Sequence, residues 1–452
     1  MDYSIIMYLL HITPHLGGGV GSVISAWVKN DVKGNHHIVI SLDQNINKDN
    51  FRFLQNLPNC EVYDGVWYLN DSNNYINEFL KKSDILILHW WNHPLTFDFV
   101  YNYHLPECRV ILWCHTACTC PPNVLTEDVV NFADKVVFTS PVSYTSKDIK
   151  KIIKQNKEKF DLIWSTSGVD EFLSLQKKQH DDFVIGYIGT ADFSKLNKNY
   201  IKMCSKIKSD KVRFEVYTID SQDKLKEEAE NLGIAHKFVF AGKIPHNKIP
   251  EVLSGFDLLG YPLQKEHYGT CEQALGEAMA AGVVPVCMEN ACEGFIIKNN
   301  VNGFLCKSEK KYIETINSLL CNDEKLNYLS SQVRKRAEEL YSVQTMVKKW
   351  SCLLSNIVLN SDKHFHSFNE LGGGWLPHEL YVKSLGGYGK PFVKLLNGKT
   401  KIIRRFAEMQ IIRLYKINPA FTSNSKGSPG QYYRYFNNSI ELFEWSKIAE
   451  ES

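Results

Sequence analysis

No stretch of this chain is apolar for the roughly 20 residues that a membrane-spanning helix needs. Its opening, MDYSIIMYLLHIT, has neither a basic lead-in nor a small-residue cleavage site, so an uncleaved cytoplasmic chain is expected. Charge of one sign is also missing. The formal net charge is +2, and no basic run is interleaved with aromatics, which argues against a nucleic-acid partner. Twelve cysteines are present, but not at the spacings of a disulfide framework, so reduced thiols are expected. Cys108, Cys114, His115, Cys118 and Cys120 crowd together without a C-x-x-C pair or a second ligand pair, and no metal site is expected there. D-x-D is absent, as are internal repeats and low-complexity tracts.

What is present is an ordinary globular composition, 44% hydrophobic and 23% charged, over 452 residues, enough for two or three domains. Short apolar runs (SIIMYLLHIT, HHIVISL, DILILHWW, RVILWCH, KVVFTS) alternate with polar or helical stretches, the pattern of a parallel α/β sheet. The first run leads into Gly17, Gly18, Gly19 and Gly21 and then a helical stretch. The spacing Gly17, Gly19, Ser22 fails G-x-G-x-x-G, which weakens a dinucleotide-binding reading. Polar and aromatic residues close the runs, where open α/β sheets place ligands. His89, Trp91 and His93 are candidates for the acceptor side, although the tryptophans also fit core packing. A polar stretch, SLQKKQHDD, separates these runs from a second set starting at FVIGYIGT.

The most informative stretch is EHYGTCEQALGEAMAAGVVP, from Glu266 to Pro285. A small-residue turn, Tyr268 to Cys271, opens a helix over Glu272 to Ala281. The first N–H groups of such a helix lack internal partners and its dipole makes that end positive, which suits a diphosphate. Gly269 would let the backbone approach it closely, and Glu277, further along the helix, could accept both hydroxyls of a ribose. From spacing alone, an unremarkable βα unit with a solvated Glu277 remains the alternative.

GEAMAAGVVPV followed by CEGFIIKNNVNGFLC resembles the nucleotide-sugar motif of retaining GT-B glycosyltransferases of the glycosyltransferase family 4 type. The resemblance extends over about residues 5 to 355, more specific in the second half. It implies two Rossmann-like doubly wound α/β domains facing a cleft: an N-terminal acceptor-side domain at 1–172, a nucleotide-sugar domain at 182–357, and a C-terminal extension at 360–452. It implies that Glu277 binds the donor ribose, that the backbone at Tyr268, Gly269, Thr270 and Cys271 and at Gly189 and Thr190 lies at the donor, and that Gly18 and Gly19 lie beside its phosphate. His115 matches a histidine near the donor sugar. Two departures stand out. Gly269 occupies the position of a glutamate eight residues before the ribose glutamate, so Glu266 or Glu272 must substitute; Thr190 occupies that of an arginine, so the phosphate charge falls to Lys195 or Lys198, of which Lys195 is the better placed. The catalytic candidates are therefore His115, Lys195 and Glu272.

The expected activity is retaining transfer of a sugar from a nucleoside diphosphate to a glycan or glycolipid hydroxyl, with no cofactor. The absence of D-x-D fits a transfer in which a helix terminus and a lysine, not a divalent cation, balance the diphosphate. A GT-B epimerase or phosphorylase, or a catalytically lapsed partner subunit, are the alternatives. Beyond His364 the resemblance ends. Between Pro391 and Phe436 the only acid is Glu408, and the segment from Lys401 reads as a helix docked on the protein, with contact to anionic lipid at the inner membrane face as the second reading.

Overall fold

The computed structural model describes residues 6–44, 48–69, 71–218, 220–320, 322–368, 374–417 and 426–450. By contacts the chain forms two units, one from residues 1–167 with 343–452 and the other from 168–342.

The first unit is built on β1 (Tyr8–Thr13), β2 (His36–Ser41), β3 (Cys60–Tyr63), β4 (Ile85–Trp90), β5 (Val110–Cys114), β6 (Lys135–Phe138) and β7 (Phe160–Leu162). Their order is β3-β2-β1-β4-β5-β6-β7, all parallel. Because side chains alternate along a strand, each run feeds two cores. Leu10, Ile12, Ile38, Leu86 and Leu88 enter one, whereas Leu9, Ile85, Ile87, Ile111 and Trp113 enter the other. The helix Val343–Asn360 covers the second core with Met346, Trp350 and Leu354. The C-terminal extension belongs to this same unit: Tyr381, Phe392, Ile411, Tyr432 and Trp445 join the first core. The extension and the Val343 helix thus pack with the N-terminal sheet, so the helix, assigned by sequence to the 182–357 segment, is held by the other unit's apolar face.

The second unit carries β8 (Phe183–Ile188), β9 (Val212–Tyr217), β10 (Phe238–Gly242), β11 (Leu258–Tyr261), β12 (Val284–Met288) and β13 (Phe304–Cys306). The order is β10-β9-β8-β11-β12-β13, again all parallel. Both sheets reverse direction of winding at their first strand, which creates a crevice at the carboxyl strand ends. The doubly wound α/β class expected from the alternating runs is therefore realised twice. Among the described residues no helix is long and apolar enough to cross a membrane.

Candidate active site

In the second unit, β11 ends at Tyr261 and a turn leads to the helix Gln273–Ala280, one residue shorter at each end than its sequence pattern suggests. No side chain caps that helix, and its preceding residue, Glu272, sits at φ 44°. Left-handed backbone is costly for a residue with a Cβ. Its consequence is that the Glu272 carboxylate turns inward, where its Oε2 receives the Tyr261 hydroxyl at 2.6 Å and Lys195 Nζ at 3.0 Å. His267 lies 3.8 Å from Oε1 through Nδ1 and 3.2 Å from Glu293 through Nε2. The Lys195 ammonium also stands 5.9 Å from the centre of the Tyr268 ring.

This cluster is buried yet charged. Burial alone would push Glu272 up and Lys195 down, but each outweighs that effect on the other, so the carboxyl lies below its ordinary range and the ammonium above. Burial likewise opposes the charge on His267, but Glu293 and Glu272 raise it. Glu272 Oε1 is buried and receives no hydrogen bond among the described residues. Such an acceptor is costly unless a donor arrives.

The glycine at 269 has a different reason from the expected backbone approach to phosphate. A Cβ there would stand 1.6 Å from Glu272 Oε1 and 2.9 Å from His267 Nδ1. The missing glutamate at 269 and the present one at 272 are thus one event: the side chain at 272 fills the space that a side chain at 269 would need. Glu266 is exposed, whereas Glu272 is inside. The turn itself is pinned by Tyr341, whose hydroxyl donates to the Cys271 carbonyl at 2.5 Å, and by the Cys292 thiol on the Thr270 carbonyl at 2.7 Å.

Glu277 is buried on the helix and accepts from Gln273 Nε2 at 3.3 Å. Burial, with a smaller contribution from Glu171, raises its carboxyl to about 7. It is not the solvated residue of the alternative reading. The helix's far end is clamped by Arg334, which donates to the carbonyls of Ala280 and Ala281 and of Leu173 and Leu175 at 2.7–2.9 Å, a cation where the dipole is negative. Gly189 and Thr190 follow β8, where Tyr187 donates its hydroxyl to the Thr190 carbonyl at 2.5 Å; Lys198 is exposed. Lys195, Tyr268, Gly269 and Glu272 are therefore brought together. Tyr261, His267 and Glu293 complete the cluster and were not legible beforehand, the only signal being a tyrosine at a strand end and a histidine beside the turn.

In the first unit, Gly18 and Gly19 begin the helix Gly18–Lys29 with open space around them. Gly18 needs its freedom at φ 62°, and Gly21, rather than Gly19, is sterically required: a Cβ there would meet the Leu16 carbonyl at 1.9 Å. His115 is half-buried just past β5, with Nε2 2.9 Å from His89 Nδ1; burial and then Lys426 hold its pKa at about 3. His89 is fully buried with both ring nitrogens engaged, which removes it from the acceptor-side candidates. His93 caps the helix Pro94–Asn102 through Nδ1 and meets Tyr435 edge-on at 4.9 Å. Trp90 packs on Phe97 in the core. Trp91 is buried too, with Lys426 5.8 Å from its ring. The extension thus supplies Lys426 and Tyr435 to the carboxyl edge of the first sheet. Asp134, His364 and His366 bring ligand-type atoms within 4.8 Å of one another, but the His366 nitrogens face the Phe132 carbonyl at 2.5 Å and the Cys108 carbonyl at 3.1 Å, which makes the ring a donor and not a metal ligand.

Residues 170–336 match the family described as Glycosyl transferases group 1. No curated protein matches the chain. Solved structures resemble it over most of its length. Anabaena Alr3699/HepE in complex with UDP and glucose has a TM-score of 0.60 at 15% identity, over 77% of this chain and 100% of that one. A glycosyltransferase from Rickettsia africae has 0.61 at 15%, over 79% and 100%. Sucrose-phosphate synthase from Thermosynechococcus elongatus has 0.59 at 15%, over 78% and 100%. The chain carries a glycosyl transferases group 1 domain on a GT-B fold of two Rossmann-like units, and it is an enzyme of glycosyl transfer.

Proposed function

We propose that the chain is a retaining, metal-independent glycosyltransferase of the family 4 type that moves a sugar from a nucleoside diphosphate to a glycan or glycolipid hydroxyl. The observation that carries this reading is the buried Lys195–Glu272 pair at the turn before the helix that bears Glu277. A UDP-sugar is the first donor to test, since HepE is similar in fold and binds UDP-glucose.

Each group has a role in keeping with its surroundings. The uncapped helix start near Thr270 and Cys271 and the ammonium of Lys195 face the diphosphate, whose negative charge grows as the sugar leaves. One N–H of Lys195 is committed to Glu272, which fixes the ammonium's position, and the others serve phosphate. Glu272 Oε1, the buried acceptor without a donor, takes a hydroxyl of the donor sugar in place of the glutamate missing at 269. Glu277 takes the ribose hydroxyls, which supply the donors that Gln273 alone does not. The donor phosphate accepts the proton of the incoming hydroxyl, so no carboxylate base is needed. Screening sugar nucleotides for thermal stabilisation identifies the donor. Product NMR then tests retention at the anomeric carbon, and turnover unchanged in EDTA tests metal independence. Inversion, or loss of turnover on chelation, would refute the corresponding part.

The acceptor end of the reading includes a peripheral membrane contact. The helix Lys401–Ile417 packs through Ala407, Ile411 and Tyr415, while Ile402, Phe406 and Met409 are 82, 55 and 61% exposed beside Lys401, Arg404 and Arg405. An apolar strip edged by cations suits an anionic lipid surface. Co-sedimentation with phosphatidylglycerol vesicles but not with phosphatidylcholine vesicles is expected, and its loss in Ile402→Ser/Phe406→Ser checks the surface.

A further inference from the structure

A line of four imidazoles crosses the first unit's sheet. His37 on β2, His11 on β1, His89 on β4 and His115 after β5 come from four neighbouring strands. His37 Nδ1 meets His11 Nε2 at 3.0 Å, His11 Nδ1 meets His89 Nε2 at 3.1 Å, and His89 Nδ1 meets His115 Nε2 at 2.9 Å. The other end is closed by Asp31, whose Oδ2 lies 2.9 Å from His37 Nε2. Strands sit about 4.8 Å apart, close to the ring-to-ring spacing of 5.1–5.3 Å here, so one imidazole per strand makes a continuous chain. Register makes it climb. His37 lies opposite Leu9, His11 opposite Ile87 and His89 opposite Trp113, so each histidine stands two residues further along its neighbour's direction. The chain runs from the amino end of β2 to the carboxyl edge of β5, the edge at which such sheets bind ligands.

The direction of every hydrogen bond in this line is decided at Asp31. Its carboxylate also receives Asn35 Nδ2 at 2.7 Å and the Lys33 amide at 3.0 Å, and Asn35 is held in that orientation because its Oδ1 accepts from the Met7 amide. Burial raises the Asp31 pKa, but these donors and His37 outweigh it and keep the group ionised. An ionised carboxylate only accepts, so His37 must carry its proton on Nε2 and accept at Nδ1. The same choice is then forced on His11, His89 and His115 in turn. Burial under Trp27 and Trp113 lowers His11 and His89 well below their ordinary value, so the rings are neutral and each has one proton to place. What remains at the carboxyl edge is His115 Nδ1 with a bare lone pair.

We propose that Asp31 is a positioning residue for the transfer: through His37, His11 and His89 it locks His115 as the Nε2–H tautomer, so that Nδ1 accepts a hydrogen bond from a sugar hydroxyl. The proposal rests on the glycosyl-transfer reading for its ligand, but not for its tautomers. In Asp31→Asn, an oxygen retained on the Lys33 amide turns an NH2 towards His37 Nε2; His37 must then accept there, and the whole line reverses, leaving Nδ1–H on His115. A wrong histidine tautomer is severely damaging where it has been measured.

The experiment is 15N NMR of the full-length protein labelled at histidine, with His115 assigned by comparison with His115→Gln. Wild type should show His115 protonated at Nε2 and bare at Nδ1, Asp31→Asn the reverse with turnover down at least tenfold, and Asp31→Glu the wild-type pattern with most turnover restored. In a His89→Leu background, where the line is cut, adding Asp31→Asn should lower turnover less than twofold further. Nδ1–H on His115 in wild type, or an unchanged His115 in folded Asp31→Asn, would overturn the proposal; should Asp31→Asn fail to fold, a full tenfold further loss in Asp31→Glu/His89→Leu relative to His89→Leu would do so. A protein with the expected tautomers that transfers no sugar would overturn the functional reading and support the role of Asp31.

Discussion

The two units bury ionisable groups to opposite ends. In the second, Lys195, Glu272 and His267 are removed from water and stay charged, each held by an opposite charge at 3.0–3.8 Å. In the first, His11, His89 and His115 are removed from water and are neutral, because each ring meets another ring and not a carboxylate. Burial sets the cost in both places; the identity of the partner decides whether charge survives it. A site that must oppose a developing diphosphate charge needs the first arrangement. One that must present a lone pair to a hydroxyl needs the second.

The sharpest way to break this contrast is to remove the cation. Lys195→Ala is expected to lower turnover by about 10²–10³-fold and, by stranding the Glu272 carboxylate, to destabilise the fold by about 3–5 kcal/mol. Adding Glu272→Gln should restore thermal stability and not turnover; recovery of both would remove Lys195 from the chemistry. Next is Gly269→Ala, whose Cβ competes with Glu272 Oε1 for one space. It should cost about 1–3 kcal/mol in denaturant unfolding and most of the turnover, and Gly269→Ala/Glu272→Ala should be the more stable of the two variants.

Glu277→Ala acts on binding. Loss of charge-assisted bonds worth about 1.5–3 kcal/mol should weaken donor affinity by calorimetry, with turnover at saturating donor changed less. Because its carboxyl sits near 7 when the site is empty and must be ionised to accept two hydroxyls, donor binding should release a proton and tighten as pH rises from 6 to 8. Glu277→Gln should flatten that profile; an affinity indifferent to pH would mean that Glu277 is not at the ribose. The smallest effect is expected for Glu266→Ala, below about 0.5 kcal/mol and within twofold in turnover, since that side chain lies outside the cluster.

Much of this was legible in the chain itself. Alternating apolar runs are enough to specify two parallel sheets, because a strand buried on both faces has to be apolar throughout. The small-residue turn before a run of helix formers located the helix bearing Glu277, and Lys195 stood out as the charge able to replace the arginine absent at 190. Tertiary structure alone decided the rest. That Glu272 turns inward depends on a left-handed backbone at 272 and on Tyr261 and His267 arriving from elsewhere in the chain. That the extension and the helix Val343–Asn360 join the first unit depends on which apolar face had room for them. Most of all, a histidine in each of four separate strand runs has no meaning until register is known: one residue of slip would send each ring to the opposite face, and Asp31 would have nothing to speak through.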